Sequence, residues 1–157
     1  IAFEGRMHEF IKAAYDYQDN TFHSHPGYYI DYFEMRLAQL QVLHNLHYEI
    51  KKIRKMPKQA LVIADYIMYM ADYVVEMNIP DQQIEKLEEI SEQMKQEELP
   101  KTREEFEGRA LLYHILMDLE EFLVYKKRFV NGLDEKKLRI YWKQEMEQKD
   151  SANELQK

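Results

Sequence analysis

TREEFEGRALLYHILMDLEEFLVYKKRF, residues 102–129, decides the fold. Thr102 followed three residues later by Glu105 is a capping box, in which two side chains satisfy the backbone N–H groups left free where a helix starts. At about 100° per residue, Leu112, Leu116, Leu119, Leu123 and Val130 share one side of that helix, and Glu107, His114, Asp118, Glu121 and Tyr125 lie opposite. The first set predicts a core seam and the second a solvated face. Arg109, Glu120 and Lys127 flank the seam, where long side chains bury their stems and keep their heads wet. A buried Arg109 needs a partner, and Glu105, one turn earlier, is the expected one.

Apolar steps of three and four residues recur on either side of this stretch. Phe3, Met7, Phe10, Ile11 and Ala14 predict a helix over 3–19, which Pro26 and Gly27 separate from the next. Residues 28–55 carry a stripe of Ile30, Phe33, Leu37, Leu40, Leu43, Leu46 or His47, Ile50 and Ile53, and Pro57 stops that helix because it has no amide to donate. Residues 58–78 are apolar around most of the helical circumference, with Asp65, Tyr69, Asp72 and Glu76 in a narrow arc, so this helix is expected at the centre of the bundle. Pro80 opens a helix over 81–98 whose thin stripe of Ile84, Leu87, Ile90 and Met94 predicts an outer position. Gly132 is the expected C-terminal cap of the 102–129 helix, and Asp134 starts a sixth, to about residue 148, carrying Leu138, Tyr141, Trp142 and Met146.

The resulting expectation is an all-α bundle of about five to six helices, mostly up-down. Residues 1–149 form a single domain, with the 3–19 helix a candidate linker, and residues 150–157 form a disordered tail. A chain of 157 residues is long enough for a real core. Four Gly and four Pro leave little turn material for a β fold. Without cysteine there is no disulfide, thiolate metal site or cysteine nucleophile, and a net charge of −7 argues against a nucleic-acid partner. The most apolar segment, ALVIADYIMYMADYVVEM, is interrupted by Asp65, Asp72 and Glu76, and is too short and too charged to span a bilayer.

No constellation of catalytic residues emerges. His114 and Asp118 sit one turn apart but form only a two-residue set, and His44–His47 and His23–His25 lack further ligands nearby. None of the six histidines follows a Glu by three residues, as a di-iron bundle requires. A phosphate loop, a nucleophile elbow and a zincin motif are likewise missing, so no enzyme, metal or cofactor is expected. Asp72 and Glu76 read as part of a solvated face. The candidate ligand residues are Tyr28, Tyr29, Tyr32 and Arg36, an aromatic cluster with a cation suited to a small aromatic carboxylate. The competing reading places such tyrosines at the core–solvent boundary, ring in and hydroxyl out. Charge is also segregated: Lys51, Lys52, Arg54, Lys55 and Lys58 crowd one helix end and residues 126–143 are again basic, whereas residues 81–107 hold ten acids against four bases.

LPKTREEFEGRALLYHILMDLEEFLVYKKRF, preceded by YYIDYFEMRLAQLQVLHNL, resembles the C-terminal domain of the aromatic acid exporter family of Gram-positive bacteria. Leu99, Pro100, Glu105, Phe106, Arg109, Ala110, Asp118, Leu119, Glu120, Phe122, Leu123, Lys126 and Phe129 carry the likeness, which covers most of residues 28–131. The resemblance implies a non-catalytic domain on the cytoplasmic side of a cell-membrane protein. Its partners would be the membrane half of the same chain and other copies in a homo-oligomer, and its role assembly or regulation of transport. A free-standing ligand-binding or sensor bundle for a small aromatic acid is the alternative.

Overall fold

A computed structural model describes residues 5–6, 8–13, 26–133, 138 and 142. The protein is an all-α bundle built on α1 (Pro26–Lys52), α2 (Ala60–Ala71), α3 (Asp81–Lys95) and α4 (Arg103–Asn131). Residues 8–13 are also helical, and Phe10 stacks on Phe33 of α1 with ring centroids 5.7 Å apart. Most of the expected 3–19 and 134–148 helices, and all of the expected tail, lie outside the described residues.

The bundle is organised around α4. Thr102 is extended (φ −125°, ψ 158°), and its hydroxyl accepts the Glu105 N–H at 3.1 Å. The Glu105 carboxylate in turn accepts the Lys101 N–H at 2.7 Å, a contact that holds its carboxyl below the usual range. Leu112, Ile115, Leu116, Leu119, Phe122 and Leu123 are buried along one side, and Leu119 is 0 % exposed. Gly132 is the C-cap, but at φ −76° it remains right-handed and makes no use of glycine's left-handed freedom.

α1 runs antiparallel to α4. Tyr28 meets Phe129 at one end (centroids 5.5 Å), and Gln39 Nε2 donates to the Phe122 carbonyl in the middle (2.7 Å). At the other end Gly108 sits so close to Pro57 that an added Cβ would lie 3.0 Å from the proline Cγ. α3 returns antiparallel along α4, with Lys127 paired to Asp81. α2 packs on α3, where the Tyr66 hydroxyl donates to the Gln83 carbonyl at 2.7 Å. The bundle is therefore up-down.

Three expectations are overturned. The buried residues of α1 are Tyr28, Ile30, Met35, Gln39, Val42 and Leu46, so of the expected stripe Ile30 and Leu46 hold and the middle shifts. Phe33, Leu37 and Leu40 are only half-buried, and Leu43 and Ile50 are exposed. Hydropathy could not place Gln39 inside, yet its amide is satisfied on both sides and so carries no desolvation penalty.

The second difference concerns α2, which is peripheral rather than central. Only Ile63, Tyr66 and Met70 are buried, while Leu61 and Met68 are 70 % and 73 % exposed. It also stops at Ala71 instead of residue 78, and residues 72–80 form a connecting loop. The buried Lys126 ammonium donates to the carbonyls of Val75 and Glu76, and Tyr28 donates to the Glu76 carboxylate at 3.0 Å, so tertiary partners supply what further helical turns would have supplied. Glu76 is thus tied to Tyr28 and is not on a solvated helix face.

Third, Arg109 donates to the Glu98 carbonyl and forms no ion pair with Glu105, whose Oε2 accepts the Lys101 N–H at the cap. The expected 81–98 helix forms as Asp81–Lys95, packed on α4, and buries Gln83 along with Leu87, Ile90 and Met94. Gln83 is held by Asn78 (3.0 Å) and by the Tyr69 hydroxyl (3.4 Å).

Candidate functional site

The apolar residues that α1 does not commit to the core line a groove. Phe33, Leu40 and Leu43 of α1, Val74 of the connecting loop and Phe122 of α4 enclose a space of about 340 Å³. Tyr32, Arg36 and Gln39 also line it. That size lies within the range of small-ligand sites, and the composition of apolar walls with a few polar groups is typical of them.

Arg36 is held in place before any ligand arrives. Its Nε donates to the Tyr32 hydroxyl at 3.0 Å, its Nη1 donates to Gln39 Oε1 at 2.7 Å, and its guanidinium carbon lies 5.1 Å from the Tyr32 ring centre. Gln39 is anchored in turn on Phe122. No carboxylate among the described residues forms an ion pair with Arg36, so its charge is balanced by neutral acceptors and a ring. Such a group can take a carboxylate from solution through the rest of its donor fork.

The four candidate residues divide. Tyr32 and Arg36 line the groove, and Tyr29 is exposed, with its ring edge-on to Tyr28. Tyr28 is buried, accepts the Trp142 indole N–H at 3.0 Å and donates to Glu76; burial pushes its phenol well above the ordinary tyrosine range. Phe33, Gln39, Val74 and Phe122 were missed. A signal existed for Gln39, which follows Arg36 by one helical turn, but Val74 and Phe122 join the site only through tertiary packing.

Elsewhere the chemistry is sparse. Among the described residues no three His, Asp or Glu side chains gather as a metal would require. His44, His47 and His114 are exposed, whereas His23 and His25 lie outside the described residues. A second cleft of about 300 Å³ opens where the 53–59 connection meets the start of α4, but its cations face acids or carbonyls: Lys58 lies 3.8 Å from Glu97, and Arg109 donates to Glu98. Asp118 differs from the rest of the polar face. It is half-buried, its Oδ2 is enclosed without a hydrogen bond, and desolvation raises its carboxyl above the ordinary range.

The family described as "putative aromatic acid exporter C-terminal domain" matches residues 2–127. This chain belongs to that family. Its members are assigned to transport rather than to catalysis, and the match extends the likeness seen in residues 28–131 almost to the N-terminus. YqjA, an uncharacterized protein of Bacillus subtilis strain 168, is 32% identical over 98 residues, which are 62% of this exporter-family domain and 30% of YqjA. The domain thus spans under a third of that relative's length. The crystal structure of a "putative membrane protein" from Clostridium difficile 630 has a TM-score of 0.68 and 28% identity, covering 78% of this chain and 73% of that one. Among the described residues of the domain, no helix is long and apolar enough to cross a membrane.

Proposed function

We propose that this domain is the non-catalytic, cytoplasmic end of an exporter-like protein of the cell membrane, and that it acts in assembly or regulation of transport. The match of residues 2–127 to an exporter family carries the reading. The membrane half of the same protein is its first partner. An epitope fused beside Lys157 of the parent protein tests the placement: it is expected to resist protease in intact cells and to be cleaved in inverted vesicles, and the reverse pattern overturns it. Deleting residues 26–131 is expected to lower either the assembled exporter in the membrane or its efflux of an aromatic carboxylate, and no change in either sinks the role.

The groove favours a second reading, in which the domain senses a small aromatic carboxylate. The ligand's ring would lie between Phe33, Leu40 and Phe122, and its carboxylate on Arg36. A single Arg contact and one ring justify only a Kd of roughly 0.1–1 mM. In titration calorimetry with benzoate, Arg36→Gln should weaken binding about tenfold, the loss of one charge-assisted contact. Equal binding by both proteins, or none by either at about 10 mM, refutes this reading and leaves the first intact.

A further inference from the structure

An exposed apolar stripe runs along α4 beside its polar face. At about 100° per residue, Phe106, Ala110, Tyr113 and Met117 fall within an arc of about 60°, opposite Leu119. All four are exposed, Phe106 and Met117 by 62% each. Their spacing of four, three and four residues is the interval by which one helix packs against another, and no element among the described residues covers them.

The stripe is also symmetric. Reversing the helix about a point between Leu111 and Leu112 lays Phe106 on Met117 and Ala110 on Tyr113, so that a small residue meets a large one at the centre. The same reversal brings Arg103 to the level of Glu120, one residue or about 1.5 Å along the axis from Glu121, and Arg103 and Glu121 lie on the same flank of the stripe by helical angle. Arg103 is 91% exposed and only loosely engaged with Glu107 at 3.5 Å, while exposed Glu121 accepts the Tyr125 hydroxyl at 3.2 Å. A parallel copy in the same register would instead set Arg103 against Arg103 and Glu121 against Glu121. Apolar pairing and charge therefore select one partner and one direction.

The geometry points to a second copy of this chain, with two α4 helices packed antiparallel across a two-fold axis beside Leu111–Leu112 and an Arg103–Glu121 pair at each end. The interface is isologous, so the two copies close into a dimer and not a filament. This dimer deepens the assembly role proposed above by supplying its surface. It is tested on the domain alone, so its failure would leave the exporter-end reading standing.

Sedimentation of the 157-residue chain provides the test. A face this narrow is expected to give a Kd of roughly 10–100 μM, as in small transient interfaces. Met117→Glu should weaken it at least about tenfold by burying an unpaired charge. Arg103→Glu and Glu121→Arg should each weaken it about three- to tenfold, and the double variant should return to within about twofold of the parent. All positions are exposed, so circular dichroism melts should be unchanged and misfolding is separated from loss of pairing. The proposal is overturned by a monomer at about 1 mM, by a Met117→Glu chain that dimerises as tightly as the parent, or by a double variant no tighter than the singles.

Discussion

Asp118 is the residue at which local sequence and tertiary environment conflict. It occupies the polar side of α4, yet one carboxylate oxygen is enclosed without a partner. Desolvation is the main cause of its raised pKa; Glu121 on its own helix and Glu49 on α1 add to it, and His114 opposes it. Because the folded protein holds this proton more tightly than the unfolded chain, stability falls as pH rises from the ordinary carboxylate range through the raised value. Asp118→Asn should therefore stabilise the domain at neutral pH, by on the order of 0.5 kcal/mol or about 1–2 °C in Tm. The gain should vanish below about pH 4, where both states are protonated. Thermal melts across pH check this, and a gain that persists in acid would assign the effect to packing.

At the scale of the element, α4 sets the bundle because its caps are local and its seam is continuous. Leu119→Ala should cost about 2–5 kcal/mol, since its neighbours on three helices cannot collapse into the space. His114→Ala and Glu121→Ala should each change stability by no more than about 0.5 kcal/mol, as both residues are exposed. Urea unfolding measures the contrast, and a large loss at His114 or Glu121 would mean that the polar face is covered in solution. α2 shows the opposite case. Its all-round apolarity reads as centrality, yet Leu61 and Met68 face outward because α4 already fills the middle of the bundle. Hydrophobicity states what a helix can bury, not which neighbours will be available.

For the whole molecule the critical group is Lys126, 4 % exposed although it opens a cationic run in the sequence. Its ammonium donates to Val75 and Glu76 and lies 5.7 Å from the ring centre of Tyr32, 5.9 Å from that of Phe129 and 5.8 Å from that of Trp142. One side chain thus joins α1, the 72–80 loop, α4 and the segment bearing Trp142. Trp142 is 4 % exposed and spent inside this cluster. Lys126→Met keeps most of the stem and removes the donors, and should cost about 1–3 kcal/mol. Hydrogen exchange should quicken in residues 72–80 more than in α4; uniform quickening would mean that the loop has no separate dependence on this group.

The sequence by itself determined the helical class, the start of α4 at Thr102, its core seam and the absence of a bilayer-spanning segment among these helices. Each of these follows from short-range periodicity, capping chemistry or composition, which operate within a few residues. The exporter-family likeness was legible for the same reason, since its signature lies within one helix and its approach. Only the tertiary structure decided that Gln39, Gln83 and Lys126 are buried, that α2 ends at Ala71, and that Val74 and Phe122 join Tyr32 and Arg36 around one groove. A buried amide or ammonium is tolerated only when distant residues supply its hydrogen bonds, and those distances are set by how the helices pack.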